Sequence, residues 1–272
     1  MKRVGVLVLV GMMACLALAQ QAVGQTRIYN TVKQKLADGK PVVGGTISSP
    51  DPSIYCAMAN AGFDYLWIEM QHSSLTFQEA AREIFACRGN PAIPFIRVAD
   101  ATEGDILKAL DAGALGIVVP TVDTVEKAQA AVKWAKYPPV GRRSSGGNQG
   151  STIWGSDYRQ TANENVMVVV QIESPEGVAN MDKIAAVPGV DVVFAASNDL
   201  SQFSGYKQGE PKYEAMVTAI HDATLKAGKR LGGPQAWSSR PDFLFLQGSL
   251  ETALIRSGAA ASLKPGAAPA KK

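Results

Sequence analysis

Histidine is scarce in this chain, which has only His72 and His221, and its three cysteines, Cys15, Cys56 and Cys87, are widely separated. Clustered Cys/His metal sites are therefore excluded, and carboxylates are left as the metal ligands on offer. Charge of one sign is also lacking. The 27 Lys and Arg against 24 Asp and Glu give a net charge of +3, so nothing points to nucleic acid. No Gly-rich phosphate turn follows the first expected strand, which argues against a dinucleotide-binding sheet. The run Gly146-Gly147-Asn148-Gln149-Gly150 has no strand before it and no Lys-Ser/Thr after it. No lysine falls at the carboxyl end of an expected strand: Lys108, Lys127, Lys133, Lys136, Lys183 and Lys226 lie on helical stretches, and Lys229 precedes the seventh strand. Schiff-base chemistry is thereby disfavoured, which leaves a metal as electron sink and no organic cofactor.

Long apolar runs are missing as well, apart from Val4 to Leu18, which falls short of the ~20 residues that span a bilayer. Preceded by Met1-Lys2-Arg3 and closed by Ala17-Leu18-Ala19, this run reads as a secretory signal over residues 1–24. The mature chain is then expected to be exported, periplasmic or secreted, with no membrane association once the signal is removed. Cleavage takes away Lys2 and Arg3, so the net charge falls by two to +1, and it also removes Cys15. Cys56 and Cys87 remain on consecutive expected helices, in a compartment that permits disulfides. Spacing alone does not bring two Cα atoms within bridging distance, so they read as buried free thiols, with a bridge left open.

What is present is a chain of 272 residues, 46% hydrophobic and 19% charged, enough for one large core. From residue 41 onward, β-rich runs alternate with helical patterns. Eight runs are found: Val42–Ile47, Tyr65–Glu69, Pro94–Val98, Gly116–Pro120, Met167–Glu173, Val190–Ala195, Arg230–Gly233 and Phe243–Leu246. Between them lie amphipathic stretches such as Phe77–Cys87, Glu103–Asp111, Val125–Ala135 and Tyr213–Ala227, several ending in glycine stops. Eight strands in this alternation predict a single α/β domain over 25–263, a closed (β/α)8 TIM barrel. Only Ala236 to Asp242 separates the last two strands, so the seventh helix is expected to be shortened. The stretch Pro138–Glu164, rich in Gly, Ser and Asn, reads as a long irregular loop. The Pro/Ala/Lys tail 264–272 reads as disordered.

Active sites of such barrels sit at the carboxyl ends of the strands. There the chain places Glu69, Gln71 and His72 after strand two, Arg97 on strand three, Gln171 and Glu173 on strand five, and Asn198 and Asp199 after strand six. Alternation puts Gln171 and Glu173 on one face and apolar Val170 and Ile172 on the other, so the polar face is the barrel interior. A carboxylate buried there needs a partner or a metal. Glu173 and Asp199, on neighbouring strands, suit a hard divalent cation, Mg2+ or Mn2+ first, with Co2+ or Zn2+ as further candidates. A plain ion pair of Glu173 with Arg97 is the alternative. His221, in the middle of a helix, reads as a packing or surface residue.

Taken together, these residues resemble a family. The strand-two end with His72, Phe95-Ile96-Arg97, Tyr137-Pro138-Pro139 with Gly141 and Arg143, Gln171-Ile172-Glu173, and Phe194 through Asn198-Asp199-Leu200-Ser201 look like the HpcH/HpaI aldolase and citrate lyase family, in family order over roughly residues 40 to 260. The resemblance implies a barrel of the phosphoenolpyruvate/pyruvate type and a class II pyruvate aldolase. It implies a divalent metal held by Glu173 and Asp199, a small 2-oxo acid as substrate, Arg97 at its keto oxygen, and His72 paired with Glu69 as base. Gln171, Ser197 and Asn198 would complete substrate binding. It further implies a homo-oligomer, a hexamer in that family, in which Asp111 reaches a neighbouring site. The chain differs at Glu69, usually Asp, at Gln71, usually an acid, and at Ala196-Ser197, usually Gly-Pro. The reaction implied is cleavage of a 4-hydroxy-2-oxo acid to pyruvate and an aldehyde. An exported, non-catalytic binder of metal and keto acid is one alternative reading. A lyase of citrate-lyase or malyl-CoA type is the other.

Overall fold

The computed structural model describes residues 26–147 and 149–264. The signal-peptide reading and nearly all of the tail lie outside them. Eight parallel strands close into one barrel in sequence order. They are β1 (Val42–Ile47), β2 (Tyr65–Glu69), β3 (Ile93–Arg97), β4 (Gly116–Val119), β5 (Met167–Ile172), β6 (Val192–Ala195), β7 (Arg230–Pro234) and β8 (Phe243–Leu250). A helix, Thr31–Ala37, precedes β1, capped by Asn30, whose side chain accepts from the Lys33 N–H at 3.2 Å. The helix after β2 starts at a capping box in which Thr76 and Glu79 satisfy each other's amides.

The strands form because β-branched and aromatic residues alternate in direction, and the interior direction is unusually aromatic. Tyr65 stacks on Phe245 at 4.4 Å and meets Phe95 at 5.1 Å, while Trp67 lies 5.3 Å from Phe194. Rings of that size fit inside an eight-stranded barrel only if other strands give up side chains. A Cβ on Gly44 would fall 2.2 Å from the Tyr65 ring, and one on Gly116 would fall 2.0 Å from the Phe95 ring. Glycines on β1 and β4 thus make room for the rings of β2 and β3.

Several sequence expectations are corrected. β8 runs four residues further than its apolar stretch, because Gln247 and Leu250 pair with Gly44 and Thr46 to close the barrel. The stretch 138–164 is not all irregular. Gly150–Trp154 and Tyr158–Asn165 are helical, held by distant contacts such as Trp154 Nε1 donating to the Gly113 carbonyl at 2.9 Å. Cys56 and Cys87 are not free thiols: they form a disulfide, their Cα atoms 5.5 Å apart. The expected shortening between β7 and β8 is present, and the connection holds only a 3-10 turn, Gln235–Trp237.

One buried group stands outside the barrel interior. Glu83, on the helix Phe77–Ala86, is fully buried, and neither carboxyl oxygen has a partner among the described residues. Burial, reinforced by the charges of Glu79, Glu251 and Asp51, pushes this carboxyl up to about 8. The folded carboxyl therefore holds its proton where the unfolded one, near 4.5, has lost it. The stability it contributes is present below about pH 4.5 and falls away as pH rises to about 8. Glu83→Gln is expected to flatten this decline. Its thermal midpoint should exceed that of the parent at pH 8.5 and converge with it at pH 4.5; a parallel pH profile in scanning calorimetry would refute the assignment.

Candidate active site

β2 and β3 are paired so that Glu69 lies opposite Arg97. Glu69 Oε2 accepts from Arg97 Nε at 2.7 Å and from Trp67 Nε1 at 3.3 Å, and Arg97 NH2 completes a buried ion pair with it. The other oxygen, Oε1, accepts the main-chain N–H groups of Gln71 at 2.9 Å and His72 at 3.0 Å. One carboxylate thus folds the turn after β2 and also fixes the guanidinium, which lies over the Trp67 ring at 5.5 Å. The contact of Glu69 with His72 runs through the main-chain amide, and the imidazole stands exposed on the rim.

Glu173 is placed differently. It follows β5 by one residue and is almost completely buried. Its Oε1 accepts both the N–H and the hydroxyl of Thr121, each at 2.7 Å, whereas Oε2 is buried with no partner among the described residues. Thr121 adopts φ 49°, a left-handed conformation that costs a β-branched residue about 1–3 kcal/mol. That strain aims two donors at a single carboxyl oxygen. Burial raises the Glu173 carboxyl above its usual range and the negative charge of Asp199 raises it further, while the Thr121 donors and Arg97 oppose the rise. The alternative of a plain ion pair between Glu173 and Arg97 is not what forms, since Arg97 pairs with Glu69.

Asp199 lies in the first turn of the helix Ser197–Ser204, which no side chain caps. The first amides of such a helix have no intrahelical acceptor and favour anions. A cavity of about 330 Å3 lies over this turn. Its walls include His72, Arg97, Gln171, Ser197, Asn198 and Asp199, with Phe194 and Gln247. Gln171 Oε1 is 3.5 Å from an Arg97 guanidinium nitrogen. Of the strand-end residues singled out from the sequence, His72, Arg97, Gln171, Ser197, Asn198 and Asp199 line this cavity. Glu69, Gln71 and Glu173 do not line it, although Glu173 feels the charges of Asp199 and Arg97.

Asp111 lies elsewhere. It ends the helix Glu103–Asp111, which runs back from the carboxyl end of β3, so it sits toward the opposite end of the barrel from its own cavity. There it accepts from Arg143 NH2 at 2.9 Å. Thr121 and Gln247 were not anticipated. The alternation Phe243, Phe245, Gln247 could have revealed Gln247, whereas nothing local marks a left-handed threonine.

The donor set fits a divalent cation. Among the described residues there is no cluster of three or more His, Cys, Asp or Glu side chains that could hold a metal. The chain offers two carboxylates, one with an orphaned buried oxygen, and water or a chelating substrate would supply the remaining oxygens.

The sequence model of the HpcH/HpaI aldolase/citrate lyase family matches residues 47–235. A hydroxypyruvate/pyruvate aldolase of Pseudomonas aeruginosa is 36% identical over 211 residues, 75% of this chain and 78% of that enzyme. A 2-keto-3-deoxy-L-rhamnonate aldolase of Salmonella gallinarum is 32% identical over 210 residues, 75% and 79% of the two chains. The crystal structure of an HpcH/HpaI aldolase/citrate lyase family protein from Burkholderia cenocepacia superposes with a TM-score of 0.79 at 29% identity, covering 86% of this chain and 98% of that one.

The opposing influences on Glu173 are open to test by 13C NMR of labelled carboxyl groups in the metal-free protein. Asp199→Asn should move the Glu173 titration to lower pH, because a repelling charge is lost. Thr121→Val should move it to higher pH, because a donor to the carboxylate is lost. Shifts in the reverse directions would contradict the arrangement.

Proposed function

This chain belongs to the HpcH/HpaI aldolase/citrate lyase family and is accordingly a lyase, and we propose that it is a class II, metal-dependent aldolase cleaving a 4-hydroxy-2-oxo acid to pyruvate and an aldehyde. The observation that carries this reading is the orphaned Glu173 oxygen, coupled to Asp199 beside a cavity that also presents Arg97 and His72. Glu173 and Asp199 would hold the metal, Mg2+ or Mn2+. When bound, it supplies Lewis-acid stabilisation of negative charge on the 2-oxo oxygen.

The remaining work falls to side chains. The first amides of the helix Ser197–Ser204, with Ser197 and Asn198, receive the substrate carboxylate. Arg97, held rigid by Glu69, directs its guanidinium at the keto oxygen, where charge develops as the C3–C4 bond breaks. Exposed His72 takes the 4-hydroxyl proton through water, and the electron pair of that O–H bond becomes the aldehyde carbonyl. The pair from C3–C4 passes into the enolate, and protonation at C3 releases pyruvate. Gln171, next to Arg97, borders the same oxygen.

We also place the protein outside the cytoplasm. The amino-terminal signal pattern and the Cys56–Cys87 disulfide both support export to an oxidising compartment. We further propose a homo-oligomer, a reading supported by the position of Asp111, which lies toward the opposite end of the barrel from its own cavity, where it pairs with Arg143.

A coupled pyruvate-release assay with 4-hydroxy-2-oxo acids is expected to show turnover that a chelator abolishes and Mg2+ or Mn2+ restores. His72→Ala and Glu173→Gln should each lower kcat by at least about 10²-fold. Full turnover in either variant would defeat the assignment. Saturable oxalate binding without any pyruvate release would indicate the non-catalytic binder instead.

A further inference from the structure

Where a (β/α)8 barrel ordinarily sends a helix between its last two strands, this chain has only the turn Gln235–Trp237 and a short return to β8. The turn is anchored. Trp237 is buried edge-on against Phe243, 5.2 Å between centroids, and Arg240 covers its ring at 4.4 Å while pairing with Glu214 at 2.7 and 3.0 Å. The missing helix therefore leaves a built opening over the ends of β7, β8 and β1.

That opening is a second cavity, about 720 Å3 and wide to solvent, which shares Pro234 and Gln247 with the reaction cavity as a common wall. Its polar side chains are Thr46, Gln235, Ser238, Gln247 and Ser249, and none of the described residues that line it is charged. Thr46 is engaged, donating to the Gly248 carbonyl at 2.9 Å, with Gln247 Nε2 3.4 Å from its oxygen. At Gly248 a Cβ would fall 2.6 Å from the Gly44 carbonyl oxygen and 3.0 Å from the Gln235 amide oxygen, so the glycine leaves room for both the β1 backbone and this side chain. Gln235, Ser238 and Ser249 make no side-chain hydrogen bond among the described residues.

Resting on the aldolase reading above, we propose that this second cavity is the subsite for the distal carbons of the aldehyde, and that it selects a neutral, polyhydroxylated chain over a short or an anionic one. Hydroxyl and carboxamide groups both donate and accept, which matches successive sugar hydroxyls. A terminal carboxylate, phosphate or sulfonate finds no cation there. A two-carbon aldehyde would end at Pro234 and Gln247, whereas a four-carbon hydroxylated one would continue past them to Gln235 and Ser249.

The test is aldol addition of pyruvate to glycolaldehyde, erythrose and succinic semialdehyde, using the full metal-loaded protein. Erythrose is expected to have the highest kcat/KM. Gln235→Leu and Ser249→Ala are each expected to lower the erythrose-to-glycolaldehyde ratio of kcat/KM by about tenfold, the worth of one hydrogen bond to a bound polar group. A ratio unchanged in both variants, or preference for succinic semialdehyde in the parent, overturns the subsite. If no acceptor turns over, it is the aldolase reading that fails. The subsite is then judged by saturation-transfer NMR with erythritol, which should bind the parent and lose signal in Gln235→Leu; an equal or absent signal overturns it.

Discussion

The site depends on how the barrel interior is filled. Tyr65, Phe95, Phe194 and Phe245 occupy the middle, and Gly44 and Gly116 yield the space those rings require. Because strand side chains alternate, the next inward position along each strand stands one layer above this aromatic floor. Those positions are Arg97 after Phe95, Ala196 after Phe194, and Gln247 after Phe245. The floor also keeps water away from the underside of Arg97 and Gln171, so their charge and dipole act in a medium of lower polarity than solvent. A side chain on Gly116 would displace Phe95 first and Arg97 with it, on the same strand.

Two buried carboxylates sit on that floor in opposite conditions. Glu69 is saturated, with four donors from Arg97, Trp67 and the amides of Gln71 and His72. Glu173 is half-satisfied, with Thr121 on one oxygen and, among the described residues, nothing on the other. A saturated carboxylate positions its neighbours, and a half-satisfied one is available to a ligand. Glu69 is therefore a positioning residue for Arg97 and for the turn that carries His72. Its extra methylene relative to aspartate lets a single side chain reach both.

Most of this arrangement was legible in the sequence because it rests on period-two patterns. Gln171 and Glu173 flanking Ile172, and Glu69 at the end of an apolar run, mark their strands and their faces. What escaped depends on contacts between distant segments. The left-handed Thr121 is stabilised by Glu173, 52 residues away, and the first helix inside 138–164 is held by Trp154 on Gly113, 41 residues away, rather than by local periodicity. The extension of β8 exists only because β1 is there to pair with it. The Cys56–Cys87 bridge escaped for the same reason, since it is the packing of two helices around β2 that brings the sulfurs together.

That bridge encloses more than two helices. The chain between Cys56 and Cys87 contains all of β2, the turn folded by Glu69, and His72. The segment bearing the nominated base is thus a covalent lasso knotted at the outer shell of the barrel. A protease cutting the exposed rim near His72 would leave a nicked molecule of unchanged mass on a non-reducing gel. Only a reductant would part the fragments, so the rim can suffer backbone damage while β2 stays tethered to the barrel.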